Sequence, residues 1–371
     1  MRPHHRTWVP LGILATLFLV PVVAAFTDST LESKVRRQFG LPHPCIPRTA
    51  DSPGWSEEPS LPGRLDEPRA VTVDGKIYLA GGITEIVFPD QESRDPGADA
   101  KVPIRSARAF RSYDPGTGDY ENLPPMPEGL NHIGLAVHDR NIYVMGGHGR
   151  FLAGGDVRRN FFRYTVAGRR WERLSPMPTA RGASGVAVLG DKLYVAGGLD
   201  AARPPGKPLG TATDAVEVFD FDRGRWAQAA PMSRPREHVA AAEFDGHLYV
   251  FGGRDRKDDA LSDAERYDPK RDRWDPVAPL QIPTGGGAAV TAGGGIFVMG
   301  GGDDRASKVT DAVQRYDPAS GSWSQRPPMR TPRHGFAATN VGRTIFTFGG
   351  SPCAKFAASD TAESFDSEVE E

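Results

Sequence analysis

A short hydrophobic run that ends in two glycines recurs six times along the chain. The copies read KIYLAGG, NIYVMGG, KLYVAGG, HLYVFGG, GIFVMGG and TIFTFGG, and their glycine pairs begin at residues 81, 146, 197, 252, 300 and 349. Each run is rich in β-branched and aromatic side chains, which is typical of a buried strand. A period near fifty residues indicates a repeat architecture in which each copy is one structural unit.

Aromatic residues keep a fixed distance from these pairs. One lies 26 residues before every pair, at Trp55, Tyr120, Trp171, Trp226, Trp274 and Trp323. A second lies seven residues before the last five of these, at Tyr113, Tyr164, Phe219, Tyr267 and Tyr316. The fourth unit divides into strands a to d, HVAAAEF, HLYVFGG, DAERYDP and RWDPVAP. Four-stranded antiparallel units at this period predict the blades of a β-propeller, numbered here by their glycine pairs, and only the b–c segment varies in length.

The two ends of the chain are predicted to share the sixth blade. That blade has its glycine pair and Phe365, but the sequence stops at Glu371 before any further tryptophan. The segment GWSEEPSLP (54–62) aligns with SWSQRPPMR (322–330), which contains strand d of blade five. We therefore expect residues 54–62 to supply strand d of blade six, which closes the ring and removes exposed strand edges.

These motifs resemble kelch repeats. The resemblance rests on the glycine pair after a hydrophobic strand, on Tyr-Asp-Pro and on the tryptophan seven residues past the tyrosine, and it covers roughly residues 54–366. Tyr120 departs from the pattern by replacing the first tryptophan after a glycine pair. The resemblance implies an all-β, six-bladed kelch-type propeller. It leaves the function open, because kelch propellers include enzymes, adaptors and surface proteins.

The first 25 residues differ from the rest. A basic start, MRPHHRTW, precedes the apolar run VPLGILATLFLVPVV and the small residues Val23-Ala24-Ala25, a pattern that predicts a cleaved secretory signal. An uncleaved membrane anchor is the alternative, because the apolar run approaches spanning length. We expect a secreted or periplasmic protein with a signal peptide (1–25), a linker (26–53), the propeller (54–366) and an acidic tail (367–371).

The net charge and the absence of recognisable catalytic motifs in the sequence reduce the number of possible functions. The net charge of −2 provides no field to attract nucleic acid or an anionic membrane. The sequence shows neither a nucleophile–base pair nor paired carboxylates at a recognisable motif. We therefore expect a monomeric, non-catalytic module without a cofactor, which binds a protein, peptide or glycan. The alternative is a carbohydrate-active enzyme, since exported kelch propellers include sialic acid mutarotases of similar size. A galactose oxidase-like copper role is less favoured, because it needs a cysteine cross-linked to a tyrosine.

Candidate binding residues cluster around the start of strand a. Because strand b runs antiparallel to strand a, the d–a connections and the b–c segments emerge on one face of the propeller. This places seven cationic or titratable side chains around one opening: Arg181, Arg236, Arg333, His132, His238, His148 and Arg254. Convergent guanidinium groups could bind a carboxylate ligand there.

Two other interpretations of these residues stay open. In the first, the three arginines before strand a tie the edge of each blade by bonding backbone carbonyl groups, as the kelch resemblance implies. In the second, His132 and His238 hold a metal ion. They come from non-adjacent blades, and no thiolate or acidic cluster joins them in the sequence, so we expect no metal.

The two cysteines and the longest b–c segments complete the set of candidates. Cys45 and Cys353 are an even pair in an expected exported protein, which favours a disulfide that staples the closing blade. The b–c segments of blade one (83–107) and blade three (199–215) are the longest. Binding specificity is expected there, because function concentrates on loops held by a rigid scaffold.

Overall fold

The computed structural model describes residues 52–86, 104–149, 156–201, 210–303, 308–353 and 357–370. These residues form six four-stranded antiparallel sheets, whose innermost strands contact one another in ring order around a central axis. The all-β, six-bladed propeller predicted from the repeat is therefore confirmed. The expected signal peptide and nearly all of the expected linker lie outside the described residues. Within the described ranges, no helix has the length and hydropathy needed to span a bilayer.

The strands have nearly uniform lengths. Strand a of blades one to six is Arg69–Val73, Gly134–His138, Gly185–Leu189, Ala240–Phe244, Ala288–Ala292 and Ala337–Val341. Strand b is Lys76–Ala80, Asn141–Met145, Lys192–Ala196, His247–Phe251, Gly295–Met299 and Thr344–Phe348. Strand c is Phe110–Asp114, Phe161–Thr165, Val216–Asp220, Ala264–Asp268, Val313–Asp317 and Ala362–Asp366. Strand d is Asp119–Asn122, Arg170–Arg173, Arg225–Ala229, Arg273–Val277, Ser322–Arg326 and, for blade six, Trp55–Glu57.

Three short two-stranded ribbons extend from the ends of the blades. Each one is built at least partly from a b–c segment. The paired strands are Ile83–Ile86 with Ile104–Ser106, Arg181–Gly182 with Leu199–Asp200, and Gly302–Asp303 with Lys308–Val309. All three ribbons therefore add chain to the same face of the propeller.

The N-terminal strand closes the ring as predicted. Trp55 pairs in antiparallel register with Phe365, and their rings stack with centroids 5.0 Å apart. The segment expected as an acidic tail also folds onto this blade, because Val369 packs on the cluster that contains both rings. A Cβ atom on Gly54 would lie 2.9 Å from the Cβ atom of Val369. The first and last described segments of the propeller are thus packed against each other.

The periodic aromatics join neighbouring blades. The indole N–H of Trp226 donates to the Ser175 carbonyl in the preceding d–a connection at 3.1 Å, and the other four tryptophans of the repeat make the equivalent bond. Tyr120 keeps the donor with its hydroxyl group, which lies 2.7 Å from the Pro59 carbonyl oxygen. Six hydrophobic clusters each span two adjacent blades. The aromatic residues are therefore structural, as their phase with the glycines indicates.

The glycine pairs are needed because the next blade crosses them closely. A Cβ atom on Gly197 would lie 2.6 Å from the Arg236 carbonyl oxygen of the following blade. The N–H of Gly198, the second glycine, donates to that same oxygen at 2.9 Å. Both glycines have positive φ, 64° and 99°, which favours glycine over any residue with a side chain. The same bond recurs at every blade junction, from Gly82, Gly147, Gly253, Gly301 and Gly350.

Candidate functional site

The three predicted arginines serve the blades themselves. Arg181, Arg236 and Arg333 are at most 2% exposed. The guanidinium group of Arg333 donates to the carbonyl oxygens of Gly349 and Thr361, both at 3.1 Å. Arg181 and Arg236 make the equivalent bonds in blades three and four. The expectation that these arginines line an opening is therefore corrected, and their geometry is that of the alternative in which they tie the blade edge.

Each of these arginines also forms a buried ion pair with a glutamate on strand c. Arg181 lies 3.1 Å from Glu217, Arg333 lies 2.9 Å from Glu363, and Arg236 contacts Glu265. These glutamates stand two residues before the second aromatic, and they occur only in the blades that have the arginine. Blade five has Thr284 and Gln314 at the two positions instead. This paired variation was present in the sequence and would have identified the ion pairs.

A ring of six residues surrounds the axis just before strand a. We call it the axial ring, and it consists of the residue fourteen positions before each glycine pair: Glu67, His132, Ala183, His238, Gly286 and Gly335. All six have φ between 48° and 71°, the left-handed region. The N–H groups of five members donate to the carbonyl of the preceding member, with N···O distances of 2.7–2.9 Å. The ring therefore brings the backbones of all six blades close together.

Three large polar members of the axial ring meet because the other three are small. Ala183 lies between His132 and His238 in the ring, and its methyl group lets the two imidazoles approach to 4.8 Å between centroids. The Oε1 atom of Glu67 lies 3.5 Å from His132 Nε2 and 3.9 Å from His238 Nε2. Glu67, which the sequence analysis did not single out, is thus the acid that joins the two histidines. It occupies the same repeat position as they do, which was the available signal.

The residue before each histidine fixes its orientation. The Oδ1 atom of Asn131 lies 2.5 Å from His132 Nδ1, and its amide group donates to the Ser106 hydroxyl at 2.8 Å, which sets the direction of the amide. Glu237 contacts His238 through the corresponding Nδ1 atom. Because an amide oxygen only accepts, His132 Nδ1 carries the proton and its Nε2 lone pair faces Glu67.

Burial controls the protonation of this cluster. Desolvation holds the pKa values of His132 and His238 well below the usual range, and the charge of Arg254 lowers them further. Both imidazoles are therefore neutral near pH 7. Burial, together with the neighbouring Glu67, raises the pKa of Asp66 well above its usual value. The axis thus holds two neutral imidazoles beside carboxyl groups in a desolvated setting.

The other two predicted site residues also belong to this buried centre. The rings of His148 and His132 have centroids 5.3 Å apart. Arg254 lies against Gly285, where a Cβ atom would come within 2.5 Å of its Cγ atom. The side chains of His132, His238, His148 and Arg254 are at most 7% exposed. The structure therefore brings these four together, but at a closed axis and not around an open mouth.

Two concave regions adjoin the centre. A cavity of about 190 Å³ follows the axial ring between the six a strands, and Arg69, Ser184 and Phe336 are among its lining residues. A second, of about 140 Å³, lies between the b–c segments of blades three and four and is lined by Leu199, Gly210 and Asp258, among others. The second cleft lies on the face where the b–c segments emerge.

The structure describes one of the two cysteines that are expected to form a disulfide. Cys353 is disulfide-bonded and 4% exposed, and no free cysteine occurs in the described ranges. Cys45 lies outside the described residues, so its pairing with Cys353 stays a prediction.

Comparison with known proteins agrees with this repeat geometry. The family profile described as the KLHDC2/KLHL20/DRC7 Kelch-repeats domain matches residues 131–350, which is more than half of the chain. The chain is a member of the kelch-repeat family. Its similarity to kelch-like protein terF of Aspergillus terreus is 30% identity over 205 residues, covering 54% of this chain and 40% of that protein. Kelch-like protein 36 of Bos taurus is 30% identical over 256 residues, covering 57% of this chain and 39% of the relative.

The kelch relatives named above are longer proteins, and the fold is also found among solved structures. The chain spans about two fifths of the length of the two relatives named above. The structure of YjhT superposes with a TM-score of 0.65 at 16% identity, covering 83% of this chain and 96% of that one. At this identity the match shows the common fold alone.

Proposed function

We propose that this kelch propeller is an exported, non-catalytic binding module. Its partner, a protein, peptide or glycan, contacts the face formed by the d–a connections and the b–c segments. The observation that carries the proposal is where the blades differ. Strands b and c are separated by 29 residues in blade one but by 12 in blade four, whereas every a–b turn has two residues. Length variation confined to one face of a rigid scaffold is typical of a recognition surface.

The carbohydrate-enzyme alternative has lost its main support. It required guanidinium groups that were available to hold a sugar acid. In the structure Arg181 and Arg236 are buried, and each is engaged by a glutamate and by backbone carbonyl groups. A binding face made of loops is therefore the better-supported proposal.

Two exposed lysines of blade four provide a matched test of the binding face. Lys257 stands in the b–c segment, whereas Lys270 stands in the c–d turn at the opposite end of the same blade. A photo-reactive amino acid would replace one or the other, and the cells that produce the protein would then be irradiated. The proposal predicts a discrete cross-linked product from position 257 and none from position 270. Equal products from both positions, or a product from position 270 alone, would contradict it.

The non-catalytic part of the proposal has its own test. Purified protein would be mixed with N-acetylneuraminic acid, and the exchange of its two anomers followed by NMR. We expect the uncatalysed rate. Acceleration that scales with protein concentration would overturn this part and favour the enzyme. A glycan array read with the same protein covers the case in which the partner is a neutral sugar.

Export is proposed from the N-terminal sequence and from cysteine chemistry. Residues 1–25 have the order of a cleaved secretory signal. The disulfide bond at Cys353 is in keeping with an oxidising compartment. N-terminal sequencing of the protein from the extracytoplasmic fraction is expected to begin at Phe26. Recovery of the chain with Met1 intact from the cytoplasm alone would contradict export.

A further inference from the structure

We propose that Glu67, His132 and His238 form a binding site for one divalent transition-metal ion, with Zn²⁺ as the cation that best matches their ligand atoms. The three residues come from blades one, two and four and meet at the axial ring. The proposal goes beyond the binding face described above and does not depend on it. An ion here would join three blades across the axis of the propeller.

The spacing of the ligand atoms is close to that of a zinc site. Glu67 Oε1 lies 3.5 Å from His132 Nε2 and 3.9 Å from His238 Nε2, and the three atoms lie within 4.8 Å of one another. Zinc bonds to nitrogen and oxygen of roughly 2.0–2.2 Å place neighbouring ligands of a tetrahedron about 3.3 Å apart. Side-chain adjustments of about 0.5 Å would bring all three atoms to bonding distance.

Both imidazoles are held with their Nε2 atoms directed at the carboxylate. Asn131 accepts from His132 Nδ1 at 2.5 Å, and Glu237 contacts His238 Nδ1. Metal-bound histidines almost always have such an oxygen partner on the second ring nitrogen, which fixes the tautomer and the ring. This arrangement occurs at two independent blades and leaves two nitrogen lone pairs facing one carboxylate.

The two carboxyl groups at the axis each have an oxygen atom that accepts no hydrogen bond from the described residues. Glu67 is 2% exposed and Asp66 is fully buried. Glu67 Oε2 and Asp66 Oδ2 accept no hydrogen bond from the described part of the chain. Arg69 approaches Glu67 Oε2 only to 3.6 Å. Buried carboxylate oxygens usually accept hydrogen bonds, so these two oxygens have lone pairs available for a metal ion in addition to the Arg69 contact.

Small residues and a cavity adjoin the proposed site. Ala183, Gly286 and Gly335 take little volume in the axial ring, and the cavity of about 190 Å³ begins directly beyond it. A second group, made of Asp66, Glu67 and His334, shares the Glu67 carboxylate. We assign the ion to the two-histidine group, because it offers two imidazole nitrogens and a carboxylate, whereas the second group offers a single imidazole.

The test is zinc stoichiometry in untagged full-length protein. The protein would be treated with a chelator, reloaded with Zn²⁺, freed of excess metal and analysed by mass spectrometry of the element. We expect one zinc per chain in the wild type and at least tenfold weaker binding in His132→Ala, His238→Ala and Glu67→Gln. Two controls are expected to keep the zinc. They are His247→Ala, at the first residue of strand b of blade four, and His138→Ala, at the last residue of strand a of blade two.

Further measurements keep the proposal falsifiable if a variant fails to fold. Wild-type protein loaded with Co²⁺ is expected to show the intense visible absorption of a four-coordinate N/O site, and Zn²⁺ is expected to raise its melting temperature. Ca²⁺ or Mg²⁺ at the same concentration is expected to do neither. No stoichiometric zinc in the wild type would overturn the proposal. Retention of zinc in a folded Glu67→Gln, or its loss in His334→Ala but not in His132→Ala, would also overturn the assignment.

Discussion

Breaking the buried ion pair of blade six should cost far more stability than breaking an exposed pair in the same blade. Arg333 and Glu363 are both fully buried and lie 2.9 Å apart. Arg333→Met leaves a buried carboxylate without its cation, and removing one partner of such a pair costs about 3–5 kcal/mol. Arg343 and Glu368 lie 2.7 Å apart but are 59% and 62% exposed. The matched Arg343→Met should cost less than about 1 kcal/mol.

A double variant separates the charge effect from the loss of packing. Arg333→Met combined with Glu363→Gln removes both charges, so it should be more stable than Arg333→Met alone. The assay is urea unfolding followed by tryptophan fluorescence, compared by transition midpoints, because a chain of this size need not unfold in one step. The reasoning would be refuted if Arg333→Met and Arg343→Met shifted the midpoint equally. It would also fail if the double variant were less stable than Arg333→Met.

Three further predictions concern the axial ring, the blade junctions and the closing blade. Gly335→Ala should destabilise the protein more than Gly342→Ala, although the two glycines have similar φ values of 62° and 60°. A Cβ atom at residue 335 would lie 2.5 Å from a carboxylate oxygen of Glu67, whereas one at residue 342 would meet no atom within 4 Å. Equal melting temperatures of the two variants would contradict this. Trp226→Phe should cost about 1 kcal/mol by removing one inter-blade hydrogen bond, and an unchanged urea midpoint would show that this bond adds nothing. Non-reducing peptide mapping of exported protein should link Cys353 to the other cysteine, whereas two free thiols would exclude the bond.

The fold could be predicted from the sequence because the residues that determine it recur at a fixed spacing in every repeat. The distance from Trp226 to Gly252 is the same in every blade, since one residue bonds the preceding blade and the other admits the backbone of the next. Closure by Trp55 was predictable for the same reason, because the missing strand of one unit was visible at the other end. Such signals are strong, because the same spacing is found in all six copies of the repeat.

The centre of the molecule was harder to predict, because side-chain direction changes within two residues. Arg236 and His238 are two residues apart in sequence, yet one points into its blade and the other towards the axis. The left-handed backbone that causes this change is hidden where the residue is His or Glu. It is hinted at only by Gly286 and Gly335, which occupy the same repeat position. The approach of two histidines across a blade also depends on the small Ala183 between them, which no local pattern reveals.

The closure of blade six constrains the order in which the propeller can fold during its synthesis. Strand Trp55–Glu57 is the first strand of the propeller to be synthesised, and its partner Ala362–Asp366 is the last. Blades one to five can assemble in sequence as each is completed, while the first strand waits with an unpaired edge. The final pairing joins residues about three hundred positions apart, and contacts of long sequence separation form slowly. A chain that is truncated before residue 362 would therefore form an open arc of blades and not a smaller closed propeller.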